Sequence, residues 1–147
     1  MRIAVGSDHR GLSYKQHILE LLQRMGYETK DFGSYSPEPV DYPDIARAVS
    51  DAVVKSRFDY GILICGTGIG MSIAANKVSG IRAALCCDTF SAERARLHNN
   101  ANILCLGAER GLENTEEILK TFFSTRFEGG RHQGRLEKIR ALETTRS

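Results

Sequence analysis

The sequence predicts a doubly wound α/β fold: a five-stranded parallel sheet in a three-layer α/β/α arrangement, followed by a C-terminal helical tail. Three observations carry this. Short apolar runs alternate with helical patterns from the first residues onward, the signature of βαβ units with right-handed crossovers. The run Tyr60–Cys65 (YGILIC) is apolar on both faces, as expected in the middle of a parallel sheet covered by helices. The length of 147 residues suits one domain. At this size, area scaling gives a folded surface of ~7,500 Å² against ~23,600 Å² unfolded, enough burial for a self-supporting core.

Taken in order, residues 2–7 (RIAVGS) read as a strand and 13–25 as a helix, because Ile18, Leu21, Leu22 and Met25 recur at i, i+3, i+4, i+7. Gly26 stops that helix. Residues 27–32 read as a second strand. All three prolines fall in 33–43, which must be a structured loop. A helix follows from about Asp44, on the apolar stripe Ile45, Ala48, Val49, Ala52 and Val53. The central strand at 60–65 ends abruptly in GTGIG. Beyond it come a helix at 71–78, a strand at 82–87 (RAALCC), a helix at 89–99, a strand at 102–107 (NILCLG) and a helix at 115–124. Past the Gly129-Gly130 break, 133–142 reads as one more helix. No repeat or second domain is visible, so residues 1–147 are read as a single domain.

Composition excludes several classes. With 41% hydrophobic and 26% charged residues, three Pro and 14 Gly, the chain is neither disordered nor collagen-like. A formal net charge of +2 argues against a general nucleic-acid or membrane-surface role. The charge is uneven, however: residues 126–147 hold six Lys/Arg and three Asp/Glu, a basic tail on a nearly neutral body. No apolar run approaches the ~20 residues that span a bilayer. The start MRIAVGSDHRG meets charge and glycine too early for a signal peptide, so a cytoplasmic location is expected. Cys65, Cys86, Cys87 and Cys105 form no C-x-x-C and read as reduced thiols.

In open α/β sheets, ligands bind beyond the carboxyl ends of the strands, so the strand exits are where chemistry is expected. The first strand exits into Ser7-Asp8-His9-Arg10-Gly11, the third into Cys65-Gly66-Thr67-Gly68-Ile69-Gly70, the fourth into Asp88-Thr89. Three glycines in five positions let backbone N–H groups approach an anion at a helix start. The segment fails the Walker pattern, having Met71-Ser72 where Lys-Ser/Thr is needed. It also fails as a phosphatase cradle, because the position six beyond Cys65 is Met71, not Arg. A dinucleotide site using Asp88 remains open, although G-x-G-x-G lacks the last glycine of that fingerprint.

Cys65 ends its strand directly before a helix start, where a thiolate is favoured by the dipole. It reads as a base or as a small buried hydrophobe. Asp8-His9 reads as an acid/base pair or as a helix-capping turn. His98-Asn99 ends a helix, where a protonated His could merely sit on the dipole. Arg131 and Arg135 are four apart and, if helical, share one face that could clamp a phosphate or simply be solvated. No His, Cys or carboxylate spacing resembles a metal site.

Taken together, SDHRG, DYPD at 41–44, ILICGTGIGMSIAANK at 62–77, GIRAALC at 80–86, RLHNNANILCLG at 96–107 and FEGGRHQGR at 127–135 resemble the type B ribose-5-phosphate isomerase family, whose wider group also acts on galactose and allose 6-phosphates. The resemblance spans essentially the whole chain. It implies an aldose-ketose isomerase that needs no cofactor and interconverts ribose 5-phosphate and ribulose 5-phosphate; a hexose 6-phosphate is the alternative substrate, and a nucleotide-binding module the non-enzymatic one. By position it implies that Cys65 is the base moving a proton from C2 to C1, that Thr67 moves the proton between O1 and O2, and that the amides of Gly66, Gly68, Ile69 and Gly70 hold the enediolate. It further implies ring opening by His98 aided by Asp8, sugar contacts from His9, Tyr42 and Asn99, and phosphate binding by Arg131 and Arg135. A homodimer, or a tetramer, with a composite site follows, the tail from residue 127 onward reaching into the partner. One family branch replaces the Cys with a Glu in the following turn, but here that turn carries Met71. The family's G-[GAS]-R after the fifth strand, whose Arg lies near the phosphate, is Gly107-Ala108-Glu109-Arg110 here, so the resemblance does not carry Arg110 over as a third phosphate contact.

Overall fold

A computed structural model describes residues 1–55 and 57–144. The chain runs β1 (Arg2–Ser7), α1 (Leu12–Arg24), β2 (Glu28–Asp31), α2 (Tyr42–Val54), β3 (Tyr60–Cys65), α3 (Ile69–Ala75), β4 (Ala83–Leu85), α4 (Thr89–Leu97), β5 (Ile103–Gly107), α5 (Thr115–Ser124) and α6 (Arg131–Thr144). Single 3₁₀ turns at His9–Gly11 and Ala108–Arg110 follow β1 and β5. The five strands form one sheet in the order β2-β1-β3-β5-β4, every pairing parallel.

The two-residue period of the strands sorts side chains onto two faces. Ile3, Val5, Ile62, Ile64, Leu104 and Leu106 pack with α1, α4 and α5, where Ile18, Leu22, Leu119 and Phe122 are fully buried. Ala4, Leu63, Cys65, Ile103 and Cys105 pack with α2 and α3 through Ala46, Val49, Met71 and Ala75. Three layers result, and β3 is buried on both faces as its sequence predicts.

The boundaries of β1, β3 and α5 fall where the pattern puts them. Others shift for local reasons. α2 starts at Tyr42, with Pro43 inside its first turn, because proline's fixed φ suits that turn and its missing N–H costs nothing there. α3 starts two residues early, so the last part of the glycine segment is helical. It stops at Ala75 because the Asn76 side chain turns to β4, donating to Ala83 O at 2.9 Å and accepting from Ala83 N–H at 2.8 Å. β4 is an edge strand and is cut to three residues.

The proline-containing loop is tied to the core by Lys15, whose side chain is fully buried. Its Nζ sits 2.7 Å from Asp31 Oδ1 and donates to Ser34 O, while Asp31 Oδ1 also accepts from Gly33 N–H at 2.8 Å. Lys15→Met removes the fully buried partner of the pair, leaving Ser34 O without that donor and Asp31 with the Gly33 N–H but no ammonium. A loss of about 3 kcal/mol is expected, read as a fall in Tm of about 10 °C in thermal unfolding.

Candidate active site

The sheet winding reverses between β1 and β3, whose carboxyl ends lie side by side: Ser7 pairs with Ile64, and Asp8 N–H donates to Ile64 O at 3.1 Å. A cleft of about 810 Å³ opens there, lined among others by Asp8, His9, Arg10, Tyr42, Cys65, Gly66, Thr67, Ile69 and Gly70.

Cys65, the last residue of β3, is buried but reaches the cleft, and its Sγ accepts the Gly68 N–H at 3.1 Å. Gly68 can present that amide because its φ is +80°, in the left-handed region that glycine occupies without strain. No side chain caps α3 at Gly68. Thr67 is exposed, and its Oγ1 accepts from Ile69 N–H at 3.2 Å. Burial pushes the Cys86 thiol up to about 11 and that of Cys105 higher still.

Asp8 is buried and caps the turn after β1, its Oδ1 accepting from Arg10 N–H at 3.0 Å and Gly11 N–H at 3.1 Å. The capping reading of Asp8 therefore holds, at a position that also faces the cleft. His9 Nδ1 accepts from Val40 N–H at 3.2 Å, which assigns the ring proton to Nε2. Tyr42 lies against the glycine segment: a Cβ on Gly70 would come within 2.6 Å of its ring.

His98, Asn99, Arg131 and Arg135 are not in this cleft. α4 starts beyond the carboxyl end of β4 and runs back, so its C-cap His98 lies toward the amino edge of the sheet, where β5 begins. Asn99 lines a separate groove with Leu136, Ile139 and Leu142 of α6. Arg131 and Arg135 are exposed on α6, with Arg131 Nη1 3.9 Å from Glu128 Oε1. His98 stacks on His132, ring centroids 4.2 Å apart. Among the described residues, His98, Glu128 and His132 are the only three potential metal donors that meet within 4.8 Å.

Sequence reasoning missed the Arg10–Glu109 pair, 3.6 Å apart over the glycine segment. A Cβ on Gly66 would meet Glu109 Oε1 at 2.7 Å and Arg10 Cδ at 3.5 Å. Glu109 stands where the resembled pattern has Arg, while Arg110 lines a different hollow with Cys86 and Cys87. The mismatch at Gly107-Ala108-Glu109 was the signal. Asp88, the acid of the dinucleotide alternative, caps α4 by accepting from Ser91 N–H at 2.7 Å, and those Ser91 hydrogen bonds hold its carboxyl below the ordinary range.

The site thus sets a thiol on a peptide amide at the switch point of a parallel sheet. The model of a family described as ribose/galactose isomerase matches residues 3–139, and the chain belongs to that family. Ribose-5-phosphate isomerase B of Escherichia coli is 46% identical over 147 residues, covering 99% of each chain. A D-erythrulose-4-phosphate isomerase of Pectobacterium atrosepticum is 45% identical, over 95% of this chain and 93% of that one. The solved structure of Clostridium thermocellum ribose-5-phosphate isomerase B superposes with a TM-score of 0.98 at 48% identity, covering all of both chains.

Proposed function

We propose that this chain is an aldose-ketose isomerase interconverting ribose 5-phosphate and ribulose 5-phosphate. The observation that carries the reading is Cys65 Sγ, held by the Gly68 amide at the edge of a cleft that also presents His9, Tyr42 and Thr67. The thiolate takes the C2 proton, and the C–H electron pair forms the C1=C2 bond as O1 gains charge. Amides of the Gly66–Gly70 segment stabilise that oxyanion, each such donor being worth about 3 kcal/mol. Thr67 carries the proton from O2 to O1, and the Cys65 thiol returns its proton to C1.

The cleft contains the base but not the proposed ring-opening His98 or the phosphate-binding Arg131 and Arg135. A homodimer resolves this, one subunit supplying the 65–70 loop and its partner the amino-edge residues. Ile69, Ile73, Leu85 and Phe90 are exposed apolar side chains around the β4 edge, a surface suited to a second copy. No described helix is long and apolar enough to cross a membrane. A base that is a free thiol suits a reducing, cytoplasmic compartment.

The test is a side-by-side assay of ribose 5-phosphate, allose 6-phosphate and galactose 6-phosphate without added metal. The reading expects ribose 5-phosphate to have the highest kcat/KM. A higher value for either hexose overturns the substrate assignment while leaving the proton-transfer scheme in place.

A further inference from the structure

Three groups distant in sequence meet near the amino edge. Glu128 Oε2 lies 3.7 Å from His132 Nε2 and 3.9 Å from His98 Nε2, and the two imidazoles are stacked 18° from parallel. The chain is built to bring them together. Glu128 N–H donates to Leu97 O at 3.0 Å, and Gly129 and Gly130, both at positive φ, turn the backbone so that α6 opens with His132 against His98. The His132 side chain is only 7% exposed, and its Nε2 has no hydrogen-bond partner. An orphaned buried nitrogen calls for an explanation.

Two ligands bound at 2.0–2.1 Å to a tetrahedral metal stand roughly 3.3 Å apart with lone pairs converging. Here both carboxylate–nitrogen spacings are wider, and the two rings are stacked 18° from parallel. The arrangement suits the placing of a proton better than coordination.

We propose that His132 and Glu128 are positioning residues for His98: His132 is the floor on which the His98 ring is stacked, and the Glu128 carboxylate, 3.9 Å from His98 Nε2, favours electrostatically the form with its proton on that nitrogen, leaving Nδ1 to serve the ring oxygen of the sugar. The inference rests on the reading of His98 as the ring-opening group. Burial, with His98 and Arg131 and more weakly Arg135, pushes His132 below its ordinary value, against Glu128, which raises it. An uncharged floor does not repel the charge that the His98 imidazolium carries before its Nδ1 proton passes to the ring oxygen, a transfer that leaves the neutral Nε2–H tautomer beside Glu128.

The experiment compares wild type, His98→Ala, His132→Ala, His132→Phe and Glu128→Gln on two substrates. Ribose 5-phosphate is cyclic; erythrose 4-phosphate is acyclic, because its would-be ring oxygen carries the phosphate. In parallel, ¹⁵N NMR reads the His98 tautomer without substrate. His132→Ala and Glu128→Gln are expected to lose at least about tenfold in kcat/KM on ribose 5-phosphate, within the range of general acid-base effects, with little change on erythrose 4-phosphate. His132→Phe keeps the stack and restores most activity. Wild type and His132→Phe hold one His98 tautomer, while His132→Ala and Glu128→Gln show two. Equal losses on both sugars overturn the inference, as does an unchanged His98 tautomer in every variant, which decides alone if erythrose 4-phosphate is not turned over. Stoichiometric zinc binding by wild type that His132→Ala abolishes also overturns it. If His98→Ala itself fails to discriminate between the sugars, the ring-opening reading falls, and the tautomer result still judges the positioning.

Discussion

Cys65→Ala is expected to lower kcat for ribose 5-phosphate by at least about 10³-fold, in the range that loss of a general base produces, while substrate affinity changes little. The asymmetry follows from geometry. The sulfur sits at the end of β3 and bonds the Gly68 amide, but the sugar and phosphate are proposed to be bound by other side chains, among them His9 and Tyr42 of the same cleft, so the variant loses an interaction made in the transition state rather than in the ground state. Cys65 is buried, yet its truncation removes a single small atom, so the variant folds. Cys65→Ser separates hydrogen bonding from basicity. Its hydroxyl can accept the same amide, but an alcohol is not ionised near neutral pH, so it is expected to be nearly as inactive as the alanine variant. Stopped assays give kcat, and calorimetric titration with ribose 5-phosphate gives affinity. An alanine variant that isomerises at the wild-type rate removes Cys65 from the mechanism.

Much of the fold was legible because it is local. β1 and β3 follow from apolar runs and α5 from its place in the alternation of strands and helices, and the cleft follows from the rule that ligands bind at strand exits, which Asp8, His9, Cys65 and Thr67 obey. Strand order was not legible: that β5 lies between β3 and β4 depends on how the last crossovers pack, and no residue pattern encodes it. The stack of His132 under His98 was hidden for a similar reason. His132 sits beside the arginines that drew notice, and only the backbone turn at Gly129-Gly130 shows that its ring is inward while theirs are exposed. Lys15 was invisible too, since a lysine on an amphipathic helix reads as solvated until its burial against Asp31 is seen.

Mixing two inactive variants is expected to restore activity. Arg131→Ala/Arg135→Ala removes two charge-assisted phosphate contacts worth about 2 kcal/mol each, a loss of about 10³-fold together. Cys65→Ala is inactive for a different reason. The nine residues of α4 span about 13 Å between the carboxyl end of the sheet, where the Cys65 cleft opens, and His98, so the proposed site is expected to need two chains. In a heterodimer of the two variants, one site combines the defective thiol loop with the defective tail, while the other combines an intact loop with an intact tail. Random reassociation puts half of the dimers in this state with half of their sites intact, so about a quarter of wild-type activity is expected after unfolding and refolding the mixture. Sites contained within single chains give no recovery at any mixing ratio. The same samples give the assembly directly, because light scattering separates a mass of 16.3 kDa from twice that value. A dimer that shows no complementation keeps the interface and refutes the shared site, whereas a fully active monomer refutes both.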